Sequence, residues 1–483
     1  MTNALTALMQ AAHPKVVVLY LGQLALMLAL LNAVPLVVAL AFGELIWAWR
    51  LGLLVVLLVA FARHTRRFPV PARLQANEAL AVVALAFVIT PLLATWPFMA
   101  SDLAFEDALF EAVSAITTTG LSTAGSTPAG DPVFLFTRAW MQWYGGLGIA
   151  VLSVALLMGH HAAARRLVEP AESENLAITA RLHARGALGA YLALTLIGIL
   201  LLWAFIGDPF SALLYMLATL STGGFAPSET SLAALPPAGA WLVSTFSVIG
   251  AVPLLLFYGA ARGRAGELLR DPEVRALGIV VLAAVVLLCL SLHYHAGFEW
   301  SGALQHGAWL GISAQTTTGF SSTNVAELDP TSKALMIVSM AVGGATGSTA
   351  GGVKLLRLLV LISLLLYYLR GSAMPPHAAH KPRLGGRALE PESMQRAALV
   401  ILLFGGFAGL CWLAFLAGGF APMDALFEVT SALGTVGLST GITNADLHTP
   451  LKLLLCAAML LGRLEFLALL VVLYPRTWLG KRS

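Results

Sequence analysis

Asp107–Thr123 reads DALFEAVSAITTTGLST and Asp424–Thr440 reads DALFEVTSALGTVGLST; aligned without a gap, 12 of the 17 positions are identical. Two looser copies lie between them, LYMLATLSTGGFAPS (Leu214–Ser228) and WLGISAQTTTGFSST (Trp309–Thr323). Each has an apolar helix-like run, a Ser/Thr-rich turn and a glycine, at Gly120, Gly223, Gly319 and Gly437. The intervals are 103, 96 and 118 residues, which makes a fourfold repeat of roughly a hundred residues.

Each apolar run ahead of its glycine is roughly 10 to 13 residues long, against the ~20 that a membrane-spanning helix needs. It then passes into hydroxyls and glycine, and so into extended backbone. Inside a bilayer such backbone is tolerated only where protein buries it or where it lines a watery cavity. Four copies around one axis would bring four sets of carbonyls together, with glycine permitting the unusual angles. Carbonyl oxygens so arranged replace the hydration shell of a permeating cation. The plainer reading, four re-entrant turns serving as structure, suits one TTTG better than four in register.

The composition says the same of the whole chain. Of 483 residues 59% are hydrophobic and only 11% charged, which describes an integral membrane protein without a sizeable soluble domain. The formal charge of +4 comes from basic residues scattered between apolar segments and gives no reason to expect nucleic acid. Cys289, Cys411 and Cys456 lie in apolar runs without metal-ligand spacing and read as small buried side chains. The histidines, His293, His295 and His306 among them, show no ligand pattern, and no Ser/His/Asp arrangement or paired intramembrane carboxylates suggests an enzyme. The first long apolar run lacks a small-residue cleavage pattern and reads as an uncleaved span.

Taken in order, residues 1–75 hold two apolar segments, about Val16–Phe42 and Ile46–Phe61. Four repeats follow over 76–170, 171–270, 271–380 and 381–483, each expected to run span, half-span, span. The full spans are expected near Leu80–Met99 and Val133–Met158, Ala187–Ile206 and Ala240–Tyr258, Val274–Tyr294 and an interrupted Ser332–Tyr368, and Ala397–Phe415 and Pro450–Tyr474. That makes ten full spans and four half-spans. Basic residues cluster at Arg63, Arg66, Arg67 and Arg73, then Arg165, Arg166, Arg181 and Arg185, then Arg262, Arg264, Arg270 and Arg275. They recur at Lys381, Arg383, Arg387 and Arg396 and end with Arg476, Lys481 and Arg482. Every cluster falls on one side, which the positive-inside rule makes cytoplasmic, with both chain termini. Asp102, Glu106, Asp107, Glu111, Asp208, Glu229, Glu327, Asp329, Asp424 and Asp446 fall on the other side, as an acidic outer mouth or as ordinary solvated loops. The inner segment Gly371–Ser393 is rich in Pro, Gly and His and reads as a flexible connector.

A second stretch, GGATGSTAGG at Gly343–Gly352, interrupts the second span of repeat three. Its glycines would each cost a lipid-facing helix ~1 kcal/mol against alanine. Gly343 lies 11 residues past Ser332, about 17 Å along a helix, near mid-membrane and below the glycine turns. The stretch therefore reads as a movable constriction or as a passive packing kink, with Gly343, Gly344, Gly347, Ser348, Thr349, Gly351 and Gly352 as its candidate gate residues. A phosphate cradle fails, because Lys354 follows Val353 and is followed by leucine. Arg463 is 12 residues, about 18 Å, past Leu451 at the same depth. An intramembrane arginine needs a cavity or partner, and the carbonyls of the glycine stretch suit it. Glu465 is two residues away and does not face it on a helix. Lys354 and Arg357 read equally as gate-adjacent groups and as side chains snorkelling to the cytoplasmic surface.

The four turns, GGATGSTAGGVKLLR (Gly343–Arg357) and GRLEF (Gly462–Phe466) together resemble the Trk/Ktr/HKT superfamily of potassium transporters, over nearly the whole chain. The two additional N-terminal spans and GRLEF are most similar to the bacterial TrkH branch. The resemblance implies an all-α, potassium-channel-like fold of four M1–P–M2 repeats around one pore. It also implies potassium uptake across the cell inner membrane, a homodimer, and a cytosolic TrkA-like nucleotide-binding ring that controls gating. K+ would be the transported ion, with no organic cofactor and no nucleic acid bound to this chain. Carried over, the filter is Thr118, Thr119 and Gly120; Ser221, Thr222 and Gly223; Thr317, Thr318 and Gly319; Thr435, Val436 and Gly437. The glycine stretch maps onto the family's intramembrane gate and Arg463 onto the arginine touching it. Plant relatives with serine at the first filter glycine prefer sodium, and Gly120 here implies potassium. A sodium-permeable or nonselective transporter on the same fold and a non-transporting membrane sensor remain the alternatives, and the residues leave channel and coupled symport both open.

Overall fold

Two long helices, α1 (Pro14–Phe42) and α2 (Leu45–Thr65), form an antiparallel pair ahead of the repeats. A computed structural model describes residues 11–69, 74–125, 130–165, 173–373 and 381–479, with the backbone alone over 152–165, over 173–182 and at 387. Arg73, Arg166, Lys481, Arg482, the side chains of Arg165, Arg181 and Arg387, and part of the Gly371–Ser393 segment therefore lie outside the described residues. The pair is tied to the repeats by two indoles: Trp47 Nε1 donates to Asp131 Oδ2 at 2.9 Å, and Trp140 Nε1 donates to the Leu31 carbonyl at 2.8 Å.

Every repeat has a first helix, a half-length helix and a second helix. Repeat one is α3 (Ala76–Phe98), α4 (Phe105–Ile116) and α5 (Pro132–Arg165). Repeat two is α6 (Ser173–Ile206), α7 (Pro209–Leu220), α8 (Pro237–Gly250), α9 (Leu254–Gly259) and α10 (Ala265–Arg270). Repeat three is α11 (Pro272–Tyr294), α12 (Trp300–Gln315), α13 (Pro330–Val342) and α14 (Leu355–Gly371). Repeat four is α15 (Pro391–Ala417), α16 (Pro422–Leu433), α17 (Thr449–Arg463) and α18 (Leu467–Leu473). Among the described residues six helices are long and apolar enough to cross a membrane, and two bent pairs pass together. The helix α5 and the α13–α14 pair stand where the other two of the ten expected spans would be. The protein is a multi-pass membrane protein, and side chains such as Leu30, Leu196, Ile279 and Leu402 face outward where lipid would lie.

Local sequence sets the starts. Asp–Pro opens α5, α7, α11 and α13: proline preforms the first turn, and the aspartate caps it. Asp131 accepts from the amides of Val133 and Phe134, Asp208 from Phe210 and Ser211, Asp271 from Glu273 and Val274, and Asp329 from Thr331 and Ser332.

The second helices are where the repeats part company. Over its described backbone α5 runs unbroken for 34 residues. In repeat two the path turns by 94° between α8 and α9–α10, at a break closed by Pro253. In repeat three a loop separates α13 from α14, as its glycines led one to expect. In repeat four α17 and α18 meet at 113°, with positive φ at Glu465 (53°) and Phe466 (62°). In three repeats a glycine lets the second helix press on the last carbonyl of the half-helix: Gly145 on Ile116, Gly250 on Leu220 and Gly462 on Leu433. The Gly371–Ser393 segment is not wholly a plain connector, because Arg383–Leu384 pairs antiparallel with Arg387–Ala388.

Candidate ion-conducting site

The four Ser/Thr–Gly segments come together as a ring. In each, one threonine leaves its half-helix with positive φ: Thr118 (55°), Thr222 (52°), Thr317 (56°) and Thr435 (51°). That angle is uncommon for a β-branched residue and marks a backbone held by its surroundings. Two amides then turn back onto the half-helix in the same pattern every time. In repeat one Thr118 N donates to Ala115 O and Thr119 N to Ser114 O; in repeat two the pairs are Thr222 to Thr219 and Gly223 to Ala218. Repeats three and four repeat it with Thr317, Thr318, Thr435 and Val436.

This hydrogen bonding corrects the expected register of repeat two by one residue. The equivalents of Thr118, Thr119 and Gly120 are Thr222, Gly223 and Gly224, so Ser221 moves back to the place of Thr117. The positive-φ glycines agree: Gly120, Gly224, Gly319 and Gly437 have φ of 89°, 76°, 83° and 97°, whereas Gly223 is not among them. These same four are partly exposed while the preceding two residues of each segment are buried.

Contacts between segments close the ring in chain order. A Cβ added to Gly120 would overlap the Gly223 carbonyl oxygen, and one on Gly224 would overlap that of Thr318. One on Gly319 would overlap the Val436 oxygen, and one on Gly437 would return to Thr119. Four carbonyl-bearing strands thus stand shoulder to shoulder, at the C-terminal, partially negative ends of four half-helices. Thr118 Oγ1 and Thr435 Oγ1 are buried without a protein partner, while Thr222 Oγ1 donates to the Ser221 carbonyl at 2.7 Å. Oxygens gathered in this way suit a dehydrated monovalent cation.

The glycine loop lies directly beneath. Gly351 N donates to Thr317 Oγ1 at 2.7 Å and Gly352 N to the Gly434 carbonyl at 3.0 Å. Thr349 Oγ1 lies 2.9 Å from the carbonyls of both Leu220 and Gly250, and Ala345 N donates to Ala251 O at 3.1 Å. Ser348 Oγ donates to Ala345 O at 2.5 Å, and the Gly347 carbonyl accepts from Leu254 N at 3.3 Å. Gly344 N reaches Gly351 O at 3.4 Å, and the Gly343 carbonyl accepts from Gln315 Nε2 at 2.8 Å. All seven expected gate residues therefore sit in one buried knot that touches repeats two, three and four.

Arg463 reaches the same knot. Its NH1 donates to the Thr349 carbonyl at 2.9 Å, and Nε and NH2 are buried without partners. Lys354 and Arg357 also make contacts beside the loop. Lys354 is 3% exposed and its Nζ donates to the Ala350 carbonyl, so it does not snorkel. Arg357 donates to the Val353 carbonyl at 2.7 Å and pairs with Glu465, which is thus occupied across the gap between repeats.

Part of the expected acidic mouth is used structurally. Asp107 pairs with Lys452 at 2.6 Å and Asp424 with Lys333 at 2.8 Å, and each lysine also donates at 2.8 Å to a loop carbonyl, Ala445 or Ala326. Glu111 is wholly buried behind the ring and bonds to Arg138 at 3.3 Å, so it does not face the outer solution. Asp102, Asp208, Glu229, Glu327 and Asp446 stay exposed. At Asp208 the Ser211 hydroxyl and the helix amides hold the carboxyl below the usual aspartate range. The sequence reading passed over Lys333, Lys452, Glu428, Arg138 and Gln142. The last of these bonds to the Gly223 carbonyl from α5 and accepts from Phe225 N at 3.3 Å.

Comparison with known proteins agrees with this architecture. The TrkH family, described as cation transport proteins, matches residues 52–477. The Trk system potassium uptake protein TrkI of Halomonas elongata is 30% identical over 481 residues, covering 95% of this chain and 96% of that protein. The Trk system potassium uptake protein TrkH of Escherichia coli is 30% identical over 423 residues, covering 84% and 86%. The crystal structure of the potassium transporter TrkH from Vibrio parahaemolyticus superposes with a TM-score of 0.85 at 25% identity, over 96% of this chain and 99% of that one.

Proposed function

The chain belongs to the TrkH family of cation transport proteins, a family of transporters and not of enzymes, and on that premise we propose that it takes up potassium through the ring of four segments. The observation that carries the reading is the closure of that ring, each glycine pressed on the carbonyl before the next repeat's glycine. The filter is then Thr118, Thr119 and Gly120; Thr222, Gly223 and Gly224; Thr317, Thr318 and Gly319; Thr435, Val436 and Gly437. K+ is the substrate, shedding water for these oxygens.

The loop Gly343–Gly352 is the gate, and Arg463 holds it shut through Thr349. A guanidinium at this depth also repels cations until it moves. The protein sits in the cell inner membrane with both termini cytoplasmic, an orientation that the basic segments between repeats support. A homodimer working with a cytosolic, nucleotide-binding TrkA-like ring fits relatives that are named for the Trk system. Such a ring would reach the gate through the inner ends of the broken second helices.

Flux of potassium against sodium into proteoliposomes of the purified protein tests the reading, beside Gly120→Ser. Potassium dominates in the wild type, and the variant admits sodium. Equal passage of both ions by the wild type would leave a nonselective pore. No flux even with the cytosolic partner added would point to a membrane sensor.

A further inference from the structure

Behind the ring, on the half-helices α4 and α16, stand two carboxylates at equivalent positions, Glu111 and Glu428, both 0% exposed. Each reaches forward to the strand that leaves its filter glycine. Glu111 Oε1 accepts from Ser122 Oγ at 2.5 Å, Thr123 N at 2.9 Å and Ala124 N at 3.2 Å. Glu428 Oε1 accepts from Ser439 Oγ at 2.5 Å, Thr440 N at 2.7 Å and Thr440 Oγ1 at 3.1 Å, and its Oε2 from Thr443 Oγ1 at 2.8 Å. A buried carboxylate is costly unless its lone pairs are filled, and these are.

A serine one turn further on completes each clamp. Ser114 Oγ accepts from Gly120 N at 3.0 Å and donates to Leu121 O at 2.6 Å, while Ser431 Oγ accepts from Gly437 N at 3.1 Å. Repeats two and three are built differently. Their equivalents of the glutamate are Tyr215 and Leu310, and their equivalents of the serine are Ala218 and Ser313, the latter without a partner. Their outgoing strands are clipped to each other instead, Ser321 N donating to Ser231 Oγ at 3.2 Å and Leu232 N to Ser321 O at 3.0 Å, while Tyr215 Oη donates to Ser231 O at 2.8 Å within repeat two.

The two carboxylates also differ in their electrostatics. Glu111 is matched by Arg138, whose guanidinium lies 4.6 Å and 4.3 Å from the Phe134 and Phe225 ring centres. Among the described residues no lysine or arginine forms an ion pair with Glu428.

We propose that Glu111 and Glu428 are positioning residues of the filter, which hold the outgoing strands of repeats one and four so that the Gly120 and Gly437 carbonyls keep potassium spacing. Glu428, lacking a cationic partner, sets ion affinity and preference more strongly than Glu111. This rests on the proposed filter and goes beyond it by naming what holds two of its four walls. Preorganised oxygens discriminate between ions of different size only while their spacing is fixed from behind.

The test is potassium and sodium flux against concentration in proteoliposomes for Glu428→Gln, Glu428→Asp, Glu111→Gln and Gly437→Ser. Glu428→Gln raises the KM for potassium about three- to tenfold, the weight of one ordinary hydrogen bond, and lowers the potassium-to-sodium ratio. Glu428→Asp, which keeps the charge, restores part of both. Glu111→Gln moves KM less. An unaltered KM and ion ratio in Glu428→Gln, with only the amount of inserted protein reduced, would overturn the proposal. If Glu428→Gln does not insert, Glu428→Asp decides by the same two readouts, and wild-type values there would overturn it too. Gly437→Ser separates the failures: when it shifts ion preference and the glutamate variants do not, only the positioning role falls, and when neither does, the filter itself falls.

Discussion

In the proposed orientation, the outer and inner halves of this molecule treat the same fourfold repeat in opposite ways. On the outer side four half-helices end in four segments with one hydrogen-bond pattern and one sequence of backbone angles. On the inner side the four second helices share almost nothing: one runs on, two bend by 94° and 113°, and one gives way to a loop. On the proposed function, symmetry is kept where four walls make a single path for an ion and is abandoned where the proposed gate would move while the other elements stand still, since packed interfaces switch between discrete arrangements more readily than they deform.

The largest effect should come from breaking the outer symmetry at one wall. Gly224→Ala drives a Cβ onto the Thr318 backbone at a positive φ, and potassium flux should drop by about a hundredfold or more. Gly223→Ala meets first the amide end of Gln142, a side chain that can shift at the loss of its bonds to Gly223 O and Phe225 N, and should cost about tenfold. The reverse order in a flux assay would restore the register that takes Gly223 as the filter glycine.

Next in size is the inner half. Arg463→Ala removes a charged donor from Thr349 O, a bond worth ~1.5–3 kcal/mol. Basal flux should rise by about ten- to a hundredfold in the ratio of open to closed protein, with ion preference unchanged. A changed preference at unchanged flux would place the arginine in the selectivity path instead. The smallest effect joins the two halves. Thr317→Val deletes the hydroxyl that accepts from Gly351 N, worth ~0.5–1.5 kcal/mol, and should raise open probability about two- to tenfold in single-channel records. No change would mean that the loop does not hang from the ring by this bond.

What could be read in advance follows the same division. The half-helices and the ring were legible because DALFE…GLST is nearly duplicated and because an apolar run too short to span ends each time in Thr/Ser and glycine. Repeat two was misaligned because STGG offers two glycines. The residue after the glycine held the answer: Leu121, Phe225, Phe320 and Leu438 are all buried, and only Gly224 precedes Phe225. The break in repeat three announced itself through its glycines, and that in repeat two had Pro253 as a quieter sign. The bend in repeat four did not, because its positive φ falls on Glu465 and Phe466, which no residue preference favours there. Glu111 was placed among the outer acids since charge alone does not tell a solvated carboxylate from one buried against a turn. Its fixed spacing to Ser122 and Thr123, repeated from Glu428 to Ser439 and Thr440, was the available clue.

The most direct measurement is anomalous scattering from crystals of the protein grown with thallium or rubidium as a potassium substitute. The ring predicts density on its axis, enclosed by Thr118, Thr222, Thr317 and Thr435 below and Gly120, Gly224, Gly319 and Gly437 above. Density elsewhere, or none on the axis at a concentration that supports flux, would contradict a single ion path made by all four repeats.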